Sequence, residues 1–174
     1  MAVLGERHID VATALNDRAT TYQSLQRFDE ALADLRRALS IIERRGEPPH
    51  PKEGMIRSNL GYSLRQTGRN DEAIEQYRRS MEIRLASHGE LHTTTLKTAN
   101  NLGLALLDAG RLDEAEALLR DALERYEALP PHPSQRYVLV NLARAARERG
   151  DDDAAKQLDA ERERLLQQLD GGTR

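Results

Sequence analysis

Apolar positions along the chain fall on helical faces in stretches of about four turns, separated at regular intervals by short glycine-bearing or polar segments. One pair of stretches displays the unit. Leu96, Ala99, Leu102, Ala105 and Leu106 share a face and stop at Gly110, where a glycine just past a helix end supplies the left-handed conformation that closes it. Asp113 and Glu114 open the next stretch, since carboxylates favour the positive end of a helix dipole. Its apolar stripe is Ala115, Leu118, Leu119, Ala122 and Leu123, and Pro130-Pro131 end it, because proline cannot continue a helix. The pattern predicts a helical hairpin.

The hairpin recurs. Arg27-Phe28-Asp29-Glu30-Ala31 returns as Arg69-Asn70-Asp71-Glu72-Ala73 and as Arg111-Leu112-Asp113-Glu114-Ala115, in two steps of 42 residues. A looser copy, Gly150-Asp151-Asp152-Asp153-Ala154-Ala155, follows about 40 later. Gly68, Gly110 and Gly150 precede three copies, and Gln26 holds that place in the first. Asn59, Asn101 and Asn141 keep the same period, with Asp17 in the first copy, and so do His8, His50, His92 and His132. Three sets of markers on one period identify an internal repeat. Small residues mark the predicted helix crossings: Ala19, Gly61, Gly103 and Ala143 on the first helices, and Ala31, Ala73 and Ala115 on the second. A small side chain there lets the axes approach closely. One array is expected over residues 1–170, with repeats at about 8–49, 50–91, 92–131 and 132–170. The last repeat includes a capping helix, and residues 171–174 form a frayed tail.

Composition narrows the reading. Leucine and alanine supply 48 of 174 residues, an alphabet that helices prefer. The chain has no cysteine, which excludes disulfides, thiolate metal sites and cysteine nucleophiles. With no tryptophan and one phenylalanine, it has little with which to line an aromatic cofactor pocket. A net charge of −3 argues against general nucleic-acid or acidic-membrane binding. No window approaches the roughly 18 apolar residues of a membrane span. An all-α, soluble, cytoplasmic protein without nucleic-acid or membrane partners is expected.

This repeat resembles the tetratricopeptide repeat, specifically its 42-residue variety found in kinesin light chains and many bacterial signalling proteins. Leu60, Leu102 and Leu142 match the family's leucine, each followed by a small residue, Gly61, Gly103 or Ala143. The mid-helix aromatic is Tyr22 in the first copy but Leu64 and Leu106 in later ones; the family's later alanine is Ala38 and Ala122, with Ser80 between them. Gly-x-x-His linkers stand at Gly5-Glu6-Arg7-His8 and Gly89-Glu90-Leu91-His92, with an altered form at Gly46-Glu47-Pro48-Pro49-His50-Pro51. Arg18 departs from the pattern, standing where leucine is expected. The resemblance covers roughly residues 8–165 and implies a right-handed α-α superhelix, a solenoid of about four helix-turn-helix units.

At the start of the chain, Met1 to Leu4 align with Leu85 to His88, the tail of a second helix, so the chain is expected to open inside a linker. A solenoid unit cannot cover its own faces. The face carrying Val11, Ala14, Leu15, Tyr22 and Leu25 is therefore expected to be partly uncovered, which raises self-association through the first hairpin as one outcome. A truncated regulatory or docking segment of a larger bacterial signalling protein, a protein kinase or signalling ATPase, is the alternative. Residues 154–169 carry one apolar stripe, Leu158, Leu165, Leu166 and Leu169, on an otherwise polar segment, as a solvating cap requires.

The candidate chemistry is sparse. The periodic histidines lie in linkers without ligand spacing, except His88 with His92, where Gly89 intervenes; capping or linker packing is the expected role, and no metal is. Acidic stretches such as Asp113-Glu114-Ala115-Glu116 read as helix-start electrostatics, and Asp151-Asp152-Asp153 lacks the glycine and distal glutamate of a calcium loop. No glycine-rich phosphate loop is present. No enzyme activity and no cofactor are expected.

The asparagines differ. In the family the first helices line a concave groove, and equivalent asparagines hydrogen-bond the backbone of an extended peptide. A carboxamide ladder, donor and acceptor at each step, suits that task. Asparagines can equally tie adjacent repeats together, and both readings stay open. The resemblance places Asn16 and Asp17 in the groove, then Asn59, Tyr62 and Arg65, then Lys97, Asn100, Asn101, Leu104 and Leu107, and last Asn141, Arg144 and Arg147. Around them stand Thr13, Gln23, Ser58, Asp108, Tyr137 and Val140. The expected ligand is an extended segment with one or two carboxylates held by arginine forks, and an apolar residue near Tyr62, Leu104 and Leu107. The function this implies is a protein–protein interaction scaffold or adaptor without catalysis.

Overall fold

The computed structural model describes residues 2–44 and 50–171. Among them are eight helices and no strand: α1 (Ala2–Ser24), α2 (Phe28–Glu43), α3 (Pro51–Gln66), α4 (Asn70–His88), α5 (Thr93–Asp108), α6 (Leu112–Glu127), α7 (Gln135–Glu148) and α8 (Asp152–Gly171). The chain divides into two compact units, Met1–His88 and Gly89–Arg174.

In the first unit α1 pairs with α2 and α3 with α4, and α2 and α1 both pack on α3. Its core holds Ala19, Ala31, Leu35, Ala38, Ile56, Ala73 and Tyr77, all without exposure. Gly61 is where α3 meets the Tyr77 ring: a Cβ there would stand 3.0 Å from Tyr77 Cζ. Arg18, which departs from the leucine pattern, forks onto the buried Asp34 of α2, with Nε–Oδ2 at 2.6 Å and Nη2–Oδ1 at 2.7 Å. A charge-assisted, bidentate pair replaces an apolar contact. Ser80, in the place of the family's alanine, donates to the Gly54 carbonyl at 2.6 Å. Burial of a hydroxyl is tolerated because it is hydrogen-bonded.

In the second unit α5 pairs with α6 and α7 with α8, and α6 and α5 pack on α7. Leu96, Ala105, Leu106, Leu119, Ala122, Leu139 and Ala143 form its interior. Leu165 of α8 is buried, while Leu158, Leu166 and Leu169 are half-covered, giving that helix one apolar stripe under a polar face.

The repeated sequence markers have local causes. α1, α3, α5 and α7 all end in the same two hydrogen bonds, for example Gly68 N–H to Arg65 O (3.0 Å) and Arg69 N–H to Leu64 O (2.9 Å). This is the Schellman closure, which needs a left-handed residue. Gly68, Gly110 and Gly150 supply it with φ of 75°, 73° and 81°, and Gln26 adopts it with φ 58°. The arginine after each turn then clasps the glutamate three residues on: Arg27–Glu30, Arg69–Glu72 and Arg111–Glu114, each at 2.6 Å. In the fourth copy Asp151 caps instead, its carboxylate accepting from Ala154 N–H at 2.9 Å.

The histidine series is a capping series. His50 Nδ1 accepts from Lys52 N–H at 3.1 Å, His92 Nδ1 from Thr94 N–H at 3.2 Å, and His132 Nδ1 from Ser134 N–H at 3.1 Å. His50 and His92 are the N-caps of α3 and α5 and each satisfies a backbone donor that the helix start leaves open, while His132 accepts from Ser134, the residue just before α7.

The start of the chain differs from expectation. Residues 5–8 are not a linker; their backbone runs inside α1, which begins at Ala2. No proline interrupts them, and a lone glycine costs a helix only about 1 kcal/mol. The first face is uncovered at Val11 (46% exposed), Ala14 and Leu25 (60%), whereas Leu15 is buried and Tyr22 half-buried. The side chain of His8, residues 46–49 of the second linker and residues 172–174 of the tail expected at 171–174 lie outside the described residues, and Gly171 is the last residue of α8 rather than part of a frayed tail.

Candidate functional site

The asparagine positions sit on the first helix of each hairpin, and helix-to-helix hydrogen bonding employs several of them. In the first unit Asn59 Nδ2 donates to Asn16 Oδ1 at 2.8 Å, and Asn16 is buried. Gln23 Nε2 donates both to the Asn59 carbonyl and to Ser63 Oγ, at 2.8 Å each. Lys52 Nζ reaches Thr13 Oγ1 at 3.0 Å. These bonds stitch α1 to α3. Asp17 stays exposed beside Asn16, whose Nδ2 lies 3.4 Å from its Oδ1. Tyr62 presents a partly exposed ring, set edge-on to Phe28 with centroids 6.2 Å apart, and the Arg65 guanidinium lies 6.0 Å from the Tyr62 centroid.

The second unit repeats the device. Asn141 Nδ2 donates to Asn100 Oδ1 at 2.9 Å, tying α7 to α5, and Asn141 is buried. Asn101 is half-buried and makes no hydrogen bond through its carboxamide among the described residues. Leu104 is half-exposed, but Leu107, at 2% exposure, belongs to the interior and offers no surface. The expected arginine forks are occupied. Arg144 bonds Asp108 at 2.6 Å and Glu148 at 2.7 Å, and Arg147 pairs with Asp159. Those pairs hold the Arg144 guanidinium firmly charged, its hydrogen bond to Asp108 being the largest cause.

A cleft of about 330 Å³ lies on this face, within the second unit between α5 and α7. It brings together Lys97, Asn100, Asn101, Leu104 and Asn141 with Tyr137, Val140, Tyr126 and Ser134. Tyr137 and Val140 are large apolar side chains left 49% and 40% exposed. No carboxylate lines it. Lys97 is the cation among its lining residues. Of the three lysines, Lys52 is bonded to Thr13 and Lys156 to Asp153, and Lys97 makes neither bond nor ion pair among the described residues. Arg136 lies over the Tyr137 ring, 4.6 Å from its centroid, and donates to its hydroxyl at 2.6 Å. Tyr126 closes the back, stacked on His132 with centroids 6.0 Å apart. Burial pushes its phenol pKa up, opposed by neighbouring Ser134.

The family resemblance places seven of these residues in the groove, Tyr137 and Val140 among them, and the period of the repeat marks Asn101 and Asn141 directly. It misses Tyr126 and Ser134, which reach the cleft from the end of α6 and the following loop, where no period applies. Among the described residues no cluster of three His, Asp or Glu side chains could hold a metal ion. None of the described helices is long and apolar enough to cross a membrane.

The comparisons with known proteins fit this architecture. BtubC (BKLC) from P. vanneervenii superposes with a TM-score of 0.83 at 22% identity, over 92% of this chain and 65% of that one. A kinesin light chain from Podosopora anserina with nearly identical TPR-like repeats gives 0.77 at 22% identity, over 91% and 76%. The Rap conjugation gene regulator of plasmid pLS20, solved in complex with the Phr* peptide, gives 0.71 at 17% identity, over 83% and 39%. The chain thus spans about two thirds of the first of these structures and less of the third. No curated protein sequence matches it. The tetratricopeptide repeat family model matches residues 10–86 and 94–168, so with its helical-repeat solenoid fold this chain belongs to the tetratricopeptide repeat family.

Proposed function

We propose that the protein is an interaction module that binds a short extended segment of a partner protein and performs no chemistry on it. The observation that carries this reading is the α5–α7 cleft, where exposed apolar side chains, unspent carboxamide capacity on Asn101 and an unpartnered lysine meet without any carboxylate. An apolar pocket with a few convergent polar groups is the usual form of a ligand site. Two structural neighbours support the reading by analogy: the Rap regulator holds a peptide, and the kinesin light chain carries the same repeat.

The ligand is read chiefly by apolar contact at Leu104, Tyr137 and Val140, with one carboxylate near Lys97. Arginine forks play a smaller part than the sequence suggests, because Arg144 and Arg147 are engaged by Asp108, Glu148 and Asp159. On the first unit, Asn59, Tyr62 and Arg65 form the corresponding face of α3, with Asn16 committed to holding α1 in place.

The test is fluorescence anisotropy with labelled peptides that carry a leucine or tyrosine beside an aspartate, each set against its asparagine counterpart. Tighter binding of the acidic form, lost in Lys97→Glu, supports the reading. Equal binding of both forms, insensitive to Lys97, sinks the carboxylate assignment. Binding insensitive to Tyr137→Ala sinks the cleft itself.

A further inference from the structure

A second cleft of about 370 Å³ opens in the second unit on the other side of Tyr126, bounded by the end of α6, the start of α7 and the outer turns of α8. Leu129, Leu139 and Leu165 give it an apolar floor. Glu127 of α6 and Glu161 of α8 stand at its walls, and neither carboxylate is in an ion pair or hydrogen bond among the described residues. Glu161 is pushed above the ordinary glutamate range, first by burial and then by repulsion from Glu127; Arg164, on the same helix, opposes this only in part. Arg164 lines the same cleft, so two carboxylates face one resident cation across a partly desolvated space and one negative charge is left over.

An independent feature points the same way. Gln135, at the first turn of α7, is only 8% exposed and lines this cleft. Its carboxamide makes no hydrogen bond among the described residues. A buried polar side chain is ordinarily satisfied. Here the carboxamide lines the cleft without a partner, its polar atoms open to the cleft rather than sealed off.

The geometry points to a binding site for an arginine side chain of a partner segment: methylenes on the leucine floor, guanidinium between Glu127 and Glu161, and one N–H donated to Gln135 Oε1. Arginine suits the site because its stem covers apolar surface while its planar head carries five donors in a fork. The site is separate from the α5–α7 cleft and has the opposite charge preference, so the two stand or fall independently.

The full chain, labelled with nitrogen-15, is titrated with acetyl-Leu-Arg-Leu-amide and with the same peptide carrying neutral citrulline in place of arginine. The expected result is movement of the Gln135 side-chain amide signals, with binding at least tenfold weaker for the citrulline peptide. A similar loss is expected in Glu127→Gln/Glu161→Gln, with no change in Lys97→Glu. Equal affinity for both peptides, a Gln135 amide that does not move, or full affinity in the double variant overturns the assignment. If the double variant loses helical signal, the citrulline contrast on the unaltered chain and the single Glu161→Gln variant decide it.

Discussion

At the scale of single residues, the first hairpin carries a cost that its siblings avoid. Gln26 is held at φ 58°, where the other three hairpins place glycine. The left-handed conformation costs a residue with a side chain roughly 1–2 kcal/mol. Gln26 is exposed, so its side chain contributes little in return. Gln26→Gly is therefore expected to stabilise the protein by about 1 kcal/mol, read as a higher urea midpoint at unchanged slope. The residue scale is also where the sequence was least legible. A glycine in three places out of four announces the turn, but that the fourth residue adopts the same φ depends on the closure around it. Arg18 reads as a lapse from the apolar pattern until Asp34, sixteen residues on, is seen beneath it. The histidines declare their period in sequence, whereas their caps depend on ring nitrogens meeting backbone N–H groups two residues ahead.

Helices are more legible than single side chains, because a face of Leu and Ala at helical spacing, stopped by glycine or proline, leaves few alternatives. The crossing positions were also readable, and Gly103 shows why a small residue is needed there. A Cβ on Gly103 would come 2.6 Å from Leu119 Cδ2, and Leu119 is fully buried and has nowhere to swing. Overpacking of this kind costs about 1–3 kcal/mol, against a gain of about 1 kcal/mol from replacing a helical glycine. Gly103→Ala is expected to destabilise by roughly 1 kcal/mol net. Leu119→Ala should cost about 2–5 kcal/mol. The double variant should lose less than the sum, since the new methyl occupies part of the vacated space; an additive result by chemical denaturation would place the two helices further apart. Loops and helix ends were less legible, which is why Tyr126, Ser134 and Gln135 escaped the periodic reading.

The same α6–α7–α8 region carries a pH dependence whose sign follows from Glu161. Its folded pKa is raised, by burial first and by Glu127 second. The folded state then holds its proton more tightly than the unfolded state, and stability falls as pH rises from the ordinary glutamate range through the raised value. α7 contributes only uncharged side chains to this cleft, so Glu127 and Arg164 are the charges that set the shift. Glu161→Gln should leave stability unchanged well below pH 4 and raise it at pH 7. Thermal melts at the two pH values separate this from a general effect of removing charge, which would show at neither or at both.

At the scale of the whole molecule, a chain of net charge −3 that is proposed to take an acidic segment must do so by local means. Most of its cations are arginines, many of them clasped by carboxylates of their own helices, as in Arg79–Glu82 and Arg120–Glu116. Long-range attraction does not favour the ligand, and Lys97 offers one exposed contact, worth about 0–1 kcal/mol. Apolar contact must then supply most of the affinity, and Tyr137, 49% exposed in the free protein, is the side chain with most to gain by being covered. Lys97→Ala should weaken binding at most about fivefold. Tyr137→Ala should weaken it by about thirtyfold or more, the loss of roughly 2 kcal/mol typical of an aromatic anchor. The same contrast must show in stability, because a ligand that binds only the folded state at a hundred times its Kd adds about 2.7 kcal/mol. A saturating acidic peptide should raise the melting temperature of the Lys97→Ala variant nearly as much as that of the unaltered protein, and that of Tyr137→Ala far less. The reverse order would make charge the main source of affinity and move the site away from the α5–α7 cleft, toward the arginines whose carboxylate partners a ligand would have to displace.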